Sequence, residues 1–179
     1  MKTKHLLFIL LALCVVFFLT GCDSGDGGGG GGSSNDSKDD PYPDIPVVAY
    51  IPEGFTGTVV AIYNTAAEIE SETISGVEYI TKEIDSIILF DNGEWVKTET
   101  EIYINKSTGV QDDSKTKTDK DAKGTYVKTG TFSNGNATIT MTHEWNDGTS
   151  TWDSHAGNFN ITISNGSFTA DGTKFTITS

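Results

Sequence analysis

The sequence has no arginine: all 12 of its basic residues are lysine, set against 25 acids. Without the planar guanidinium that grips phosphates and guanine edges through two hydrogen bonds at once, nucleic-acid binding is all but excluded. Cysteine is nearly absent as well. Cys14 and Cys22 both lie in the first 22 residues, so the rest of the chain has no thiol for a disulfide, a metal thiolate or a nucleophile. Beyond the N-terminal segment histidine is limited to His143 and His155, too far apart for a His-x-x-x-His metal motif. No metal and no cofactor is expected. Proline occurs four times, at positions 41, 43, 46 and 52, which leaves everything downstream free to form strands. After Gly21 the chain holds 10 Lys against 25 acids, a net charge of −15, which favours solubility and repels anionic lipid and nucleic acid.

What is present begins with an address. Met1 to His5 carries two lysines, and Leu6 to Leu19 is an apolar run of 14 residues. As a helix such a run spans roughly 21 Å, short of the roughly 30 Å hydrocarbon core, so residues 1 to 21 are expected to be a secretory signal and not a permanent span. The run ends in Leu19-Thr20-Gly21-Cys22. That tetrapeptide resembles the lipobox of bacterial lipoproteins. The resemblance implies that Cys22 takes a diacylglyceryl thioether and that its freed amine takes a further acyl chain, palmitate-like in chemistry. Two or more chains anchor a protein stably where one does not. The expected location is the cell envelope, at the outer membrane or cell surface rather than the inner membrane.

Residues 22 to 46 form the expected tether. Asp23 to Asp40 is Gly, Ser, Asp, Asn and one Lys, with six consecutive glycines from Gly27 to Gly32. As a flexible coil, about 18 such residues reach roughly 23 Å. Pro41, Pro43 and Pro46 then stiffen the lead-in to one domain over residues 47 to 179.

In that domain apolar and polar residues alternate with period two, and the segments are punctuated by Asn92-Gly93, Asn134-Gly135, Asp147-Gly148, Asn165-Gly166 and Asp171-Gly172. These are hairpin signals. The pattern predicts eight strands: Gly57 to Asn64, Ile84 to Asp91, Glu94 to Asn105, Gly124 to Phe132, Ala137 to Trp145, Thr149 to His155, Phe159 to Ser164 and Thr173 to Thr178. A further pair is possible around Ser75-Gly76. A short helix is conceivable over Thr65 to Glu72, and Lys106 to Ala122 reads as a mobile loop or a hairpin tip. An antiparallel sheet of eight strands manages its edges by closing into a barrel or splitting into a sandwich, and the local hairpin connections favour the barrel.

Several segments together resemble the lipocalin-like domain of bacterial lipoproteins: Leu89-Phe90-Asp91-Asn92-Gly93-Glu94-Trp95, Lys123-Gly124-Thr125-Tyr126 leading to Ile139-Thr140-Met141, and Phe168-Thr169-Ala170-Asp171-Gly172-Thr173-Lys174-Phe175. The resemblance covers Gly57 to Ser179 and implies an all-β, up-and-down, eight-stranded barrel. Where the wider family carries Gly-x-Trp, this chain has Gly57-Thr58-Val59, and it has no arginine to stack on such a tryptophan, so closure is complete or partial.

Two-residue turns at Asn134-Gly135 and Asp147-Gly148 would set Tyr126 opposite His143 and His143 opposite Trp152. That row shares a face with Phe132, Ile139, Met141 and Trp145, and also with Lys128, whose amine would have to reach the barrel mouth. The expected function is therefore binding of a small hydrophobic ligand inside the barrel by Tyr126, His143, Trp145 and Trp152. The alternative is a non-catalytic envelope module with a filled core, meeting an envelope or host protein. No enzyme is expected. Serine lies in no strand-to-helix elbow, and Glu99 and Glu101 alternate with Lys97 in the manner of a solubilising face.

Overall fold

The computed structural model describes residues 40 to 178. The signal segment, Cys22 and the glycine run lie outside the described residues. Among the described residues there is no helix, and the strands are β1 (Val59–Asn64), β2 (Glu68–Ile74), β3 (Val77–Phe90), β4 (Glu94–Asn105), β5 (Val110–Gln111), β6 (Lys117–Gly130), β7 (Gly135–Asn146), β8 (Thr151–Ile163), β9 (Ser167–Ala170) and β10 (Thr173–Ile177). The possible helix at Thr65 to Glu72 is instead largely β2. One or two turns cannot nucleate a helix alone, whereas Ser75 and Gly76, at φ 52° and 82°, close a tight hairpin that pairs β2 with β3. Lys117 to Ala122, expected in a loop, extends β6 alongside β4 as far as Glu101. The two segments expected from Thr149 to Ser164 form the single long strand β8.

The sheet is antiparallel in the order β8-β7-β6-β4-β3-β1-β10-β9. β2 lies along the first half of β3, and β5 adds two residues to β4. Eight strands thus wrap into a nearly closed barrel. The remaining seam lies between β8 and β9, which meet through Ser164 and Ser167 across the Asn165-Gly166 turn.

The interior is filled by alternate residues of nearly every strand: Ala61 and Tyr63, Ile87 and Leu89, Trp95, Ala122, Ala137 and Ile139, Ile161 and Ile163, Phe168 and Phe175. Phe168 packs edge-on against Tyr63 at 5.0 Å and stacks on Phe175 at 5.3 Å. Most of the intervening positions of β3 and β4 are also apolar, and a strap covers them. Tyr42, Ile45 and Val47 pack on Ile80, Ile102 and Ile104; Ala49 and Phe55 pack on Ile88, Phe90 and Val96. Residues 40 to 46, expected in the tether, therefore belong to the packed body. Lys82 fixes this segment: its side chain is 3% exposed, and its amine pairs with Asp40 at 2.7 Å and donates to the carbonyls of Tyr42 and Ile45. Thr98 donates to the Tyr50 carbonyl at 3.0 Å.

Candidate functional site

The two hairpins that should have built the interior row have different turns. Asn165-Gly166 and Asp171-Gly172 adopt positive φ at both residues, as two-residue hairpin turns require. Asn134-Gly135 and Asp147-Gly148 do not. The β6–β7 connection is the four-residue loop Thr131 to Asn134, closed by Gly130 opposite Gly135, and the β7–β8 connection is Asp147 to Ser150, with Ser150 left-handed at φ 54°. Gly135 is required there, because a Cβ would come within 2.5 Å of the Thr129 carbonyl oxygen. The register shifts accordingly, setting Tyr126 opposite Ile139 and Trp152 opposite Trp145, while His143 faces Lys123 and Ser154.

A bulge completes the correction. Gly124 pairs with Met141 and Lys123 with His143, so Thr142 is an extra residue that turns His143 and Trp145 outward while Ile139 and Met141 remain inward. The bulge is held by the Thr142 hydroxyl, which donates to the Lys123 carbonyl at 3.3 Å, and by the inward Thr140 carbonyl, which accepts from Trp95 Nε1 at 3.2 Å. It also needs Gly124, since a Cβ there would sit 1.9 Å from the Thr140 oxygen.

The four residues expected to line one pocket are thereby divided. Tyr126 packs against the inner core, and its hydroxyl donates to the Phe90 carbonyl at 2.8 Å. Burial, reinforced by Asp91, raises its pKa and keeps it a neutral donor. Trp145 and Trp152 meet edge to face at 5.1 Å on the outer surface, with Lys120 4.2 Å above the first ring and Lys123 4.7 Å above the second. Trp152 also packs on the outer apolar cluster beside Phe55 and Phe90. His143 is bonded to the Thr142 hydroxyl at 2.9 Å through Nδ1.

His143 and Trp152 nevertheless share a cavity. A cleft of about 360 Å³ opens on the outer face, where the strap passes the starts of β4 and β8 and the middles of β6 and β7; Glu53, Phe55, Glu94, Lys123, Thr125 and Thr142 complete its main lining. Glu94 is held by Asn92, which donates to its carboxylate at 2.6 Å and accepts from its backbone N–H at 3.0 Å. The lining thus combines two carboxylates, an amine, an imidazole and two hydroxyls with two aromatic rings. Small-ligand sites have this size and this mixture of apolar walls with a few polar groups.

A second polar region was missed in the sequence. Lys97, Glu99 and Glu101, expected on a solubilising face, share the inner face with Trp95 and Tyr103. Lys97 lies 2.6 Å from Asp121 and 3.7 Å from Asp85, with its side chain 15% exposed. Although desolvation opposes its charge, Asp121 and Asp85 together raise its pKa. Burial raises the Asp85 pKa, and the negative charges of Asp121 and Glu68 add to that rise against the opposing pull of Lys97. Further along, buried Tyr103 donates to Glu101 at 2.9 Å and bonds the Lys117 amine, whose pKa that bond raises. Tyr103 itself is shifted upward by burial, so the pair does not generate a phenolate. Among the described residues, no three His, Asp or Glu side chains gather in metal-binding geometry.

No protein-family model, no curated protein and no solved structure matches this chain.

Proposed function

We propose that the protein is a non-catalytic, lipid-anchored binding protein of the cell envelope, at the outer membrane or cell surface. Its barrel serves as a scaffold, and its ligand sits in the outer cleft. The anchor rests on Leu19-Thr20-Gly21-Cys22 following a signal-length apolar run. The observation that carries the binding site is the mixed lining of the cleft, with Phe55 and Trp152 beside Glu53, Glu94, Lys123, Thr125 and Thr142.

That chemistry suits a compact polar ring, of the size of a mono- or disaccharide, with a C–H face against the aromatics and hydroxyls toward the carboxylates. It does not suit an acyl chain, and the inner space where such a chain was expected holds Tyr63, Trp95, Phe168 and Phe175. Calorimetric titration with neutral disaccharides should give saturable heat, and Trp152→Ala should weaken binding about tenfold, the loss expected for one aromatic contact. Saturable binding of palmitate with no response to any disaccharide would return the site to the barrel interior. Separately, Cys22→Ser should abolish metabolic palmitate labelling and release the protein from the membrane fraction.

A further inference from the structure

Among the described residues, the barrel's seam leaves the long edge of β8 without a paired strand. β8 ends the strand order, and β9, beyond the Asn165-Gly166 turn, is only four residues long. Backbone groups alternate sides along a strand, so the direction of each can be read from the turn. Ser164 and Ser167 exchange N–H···O bonds at 2.9 and 3.0 Å, so the Ser164 groups point across the seam. By alternation Thr162, Asn160 and Asn158 also direct their N–H and C=O groups across the seam, while Ile163, Ile161 and Phe159 direct theirs to β7. Among the described residues, no strand pairs with β8 along that edge.

Natural edges are guarded by lysine, proline or a covering segment. β8 has no lysine and no proline, and of its 13 residues only Asp153 and His155 can carry charge, in a chain whose net charge is −13. Most acidic surfaces of this protein would repel a second copy, but this edge would not. Its exposed side chains are also self-complementary. Asn158, Asn160 and Thr162 each carry both a donor and an acceptor, and Asn160 and Thr162 already bond across to Thr138 at 3.0 Å and Asn136 at 3.3 Å. An identical strand laid antiparallel about a two-fold axis sets Asn160 against its own copy and Asn158 against Thr162.

We infer that the β8 edge is a self-association surface, on which the β8 strand of a second copy adds in antiparallel fashion to join two barrels into one continuous sheet. This is strand addition in a closed, isologous form, with the backbone supplying the bonds and the near-neutral edge selecting the partner.

The full chain, extracted in detergent and density-matched for sedimentation velocity, should show a dimer that dissociates on dilution. Asn160→Pro should weaken the dimer at least tenfold with little change in melting temperature, since the N–H it removes does not serve the β7 ladder. Should that variant misfold, Asn160→Lys, which keeps the backbone and sets two like charges at the axis, should give the same loss. In cells, Asn160→Cys should form a disulfide-linked dimer, whereas Thr73→Cys on β2 should not. A wild-type chain that stays monomeric, a dimer indifferent to both Asn160 variants, or cross-linking of Asn160→Cys to a different protein would overturn the inference.

Discussion

β3–β4 and β7–β8 are antiparallel ladders of equal length in the same barrel, yet they meet opposite surroundings. Both faces of β3–β4 are covered, the inner one by the barrel core and the outer one by the strap from Tyr42 to Phe55. β7–β8 is inward-packed only near Ala137, Ile139, Ile161 and Ile163; its other end flares through a bulge, turns its aromatics outward and leaves β8 exposed. The difference shows where the chain invests its limited apolar content. β3–β4 holds the body together, while β7–β8 carries the cleft at its flared end and the unpaired β8 edge along its other half, the features available for recognition.

The comparison can be broken by small substitutions on each side. Ile104→Ala or Ile88→Ala removes a side chain that is fully buried on the strap side, and should cost about 2–5 kcal/mol of unfolding free energy in urea titration. Asn158→Ala, on the exposed edge of β8, should stay within about 0.5 kcal/mol of the parent. If the two losses proved equal, the strap would not be a structural layer. The bulge offers a finer contrast between two glycines that flank Met141, one on β6 and one on β8. Gly124→Ala drives a methyl into the Thr140 carbonyl oxygen and should cost about 1–3 kcal/mol, read from the same titration. Gly157→Ala places its methyl in ordinary contact, 3.5 Å from Met141, and should be nearly neutral. The Gly124 variant should also let His143 swing from the outer face and loosen the cleft, visible as altered imidazole resonances.

The sequence pattern was legible where local chemistry decides the structure. Period-two alternation located β1, β4 and β7 closely, and Asn165-Gly166 and Asp171-Gly172 turn as their residue types demand. It was illegible where a tertiary contact overrides a turn preference. Nothing local in Asn134-Gly135 or Asp147-Gly148 announces a four-residue loop, and the bulge at Thr142 depends on the Trp95 indole, which comes from a strand about 45 residues away. That one inserted residue moved His143 and Trp145 to the other face and dissolved the expected interior row. The burial of Lys97 did have a signal. Positions 95 and 103, on either side of Lys97, Glu99 and Glu101 along the same face, are Trp and Tyr, and the alternate positions 96, 102 and 104 are Val, Ile and Ile. A strand apolar at both ends of both faces is covered on both sides.

The smallest expected effect concerns that inner charge cluster, and its sign distinguishes it from an ordinary surface salt bridge. A carboxylate stabilised by a lysine would have its folded pKa lowered, and stability would fall on acidification. Asp85 is shifted the other way, because burial and the neighbouring Asp121 and Glu68 outweigh Lys97 at 3.7 Å. Between the unfolded value near 3.8 and the raised folded value, the native state binds more protons than the unfolded chain. Asp85 therefore contributes a stability that increases as pH falls through this window and is lost as pH rises above it. Asp85→Asn should flatten that part of the stability–pH curve while leaving the Lys97–Asp121 pair at 2.6 Å intact, with a net change at pH 7 of about 1 kcal/mol or less. Urea titrations of the two chains every half pH unit from 4 to 7 would resolve the slope. A steeper acid loss in wild type than in Asp85→Asn would mean that Lys97 prevails over desolvation, making the inner end of β3–β4 a net electrostatic support rather than a tolerated cost.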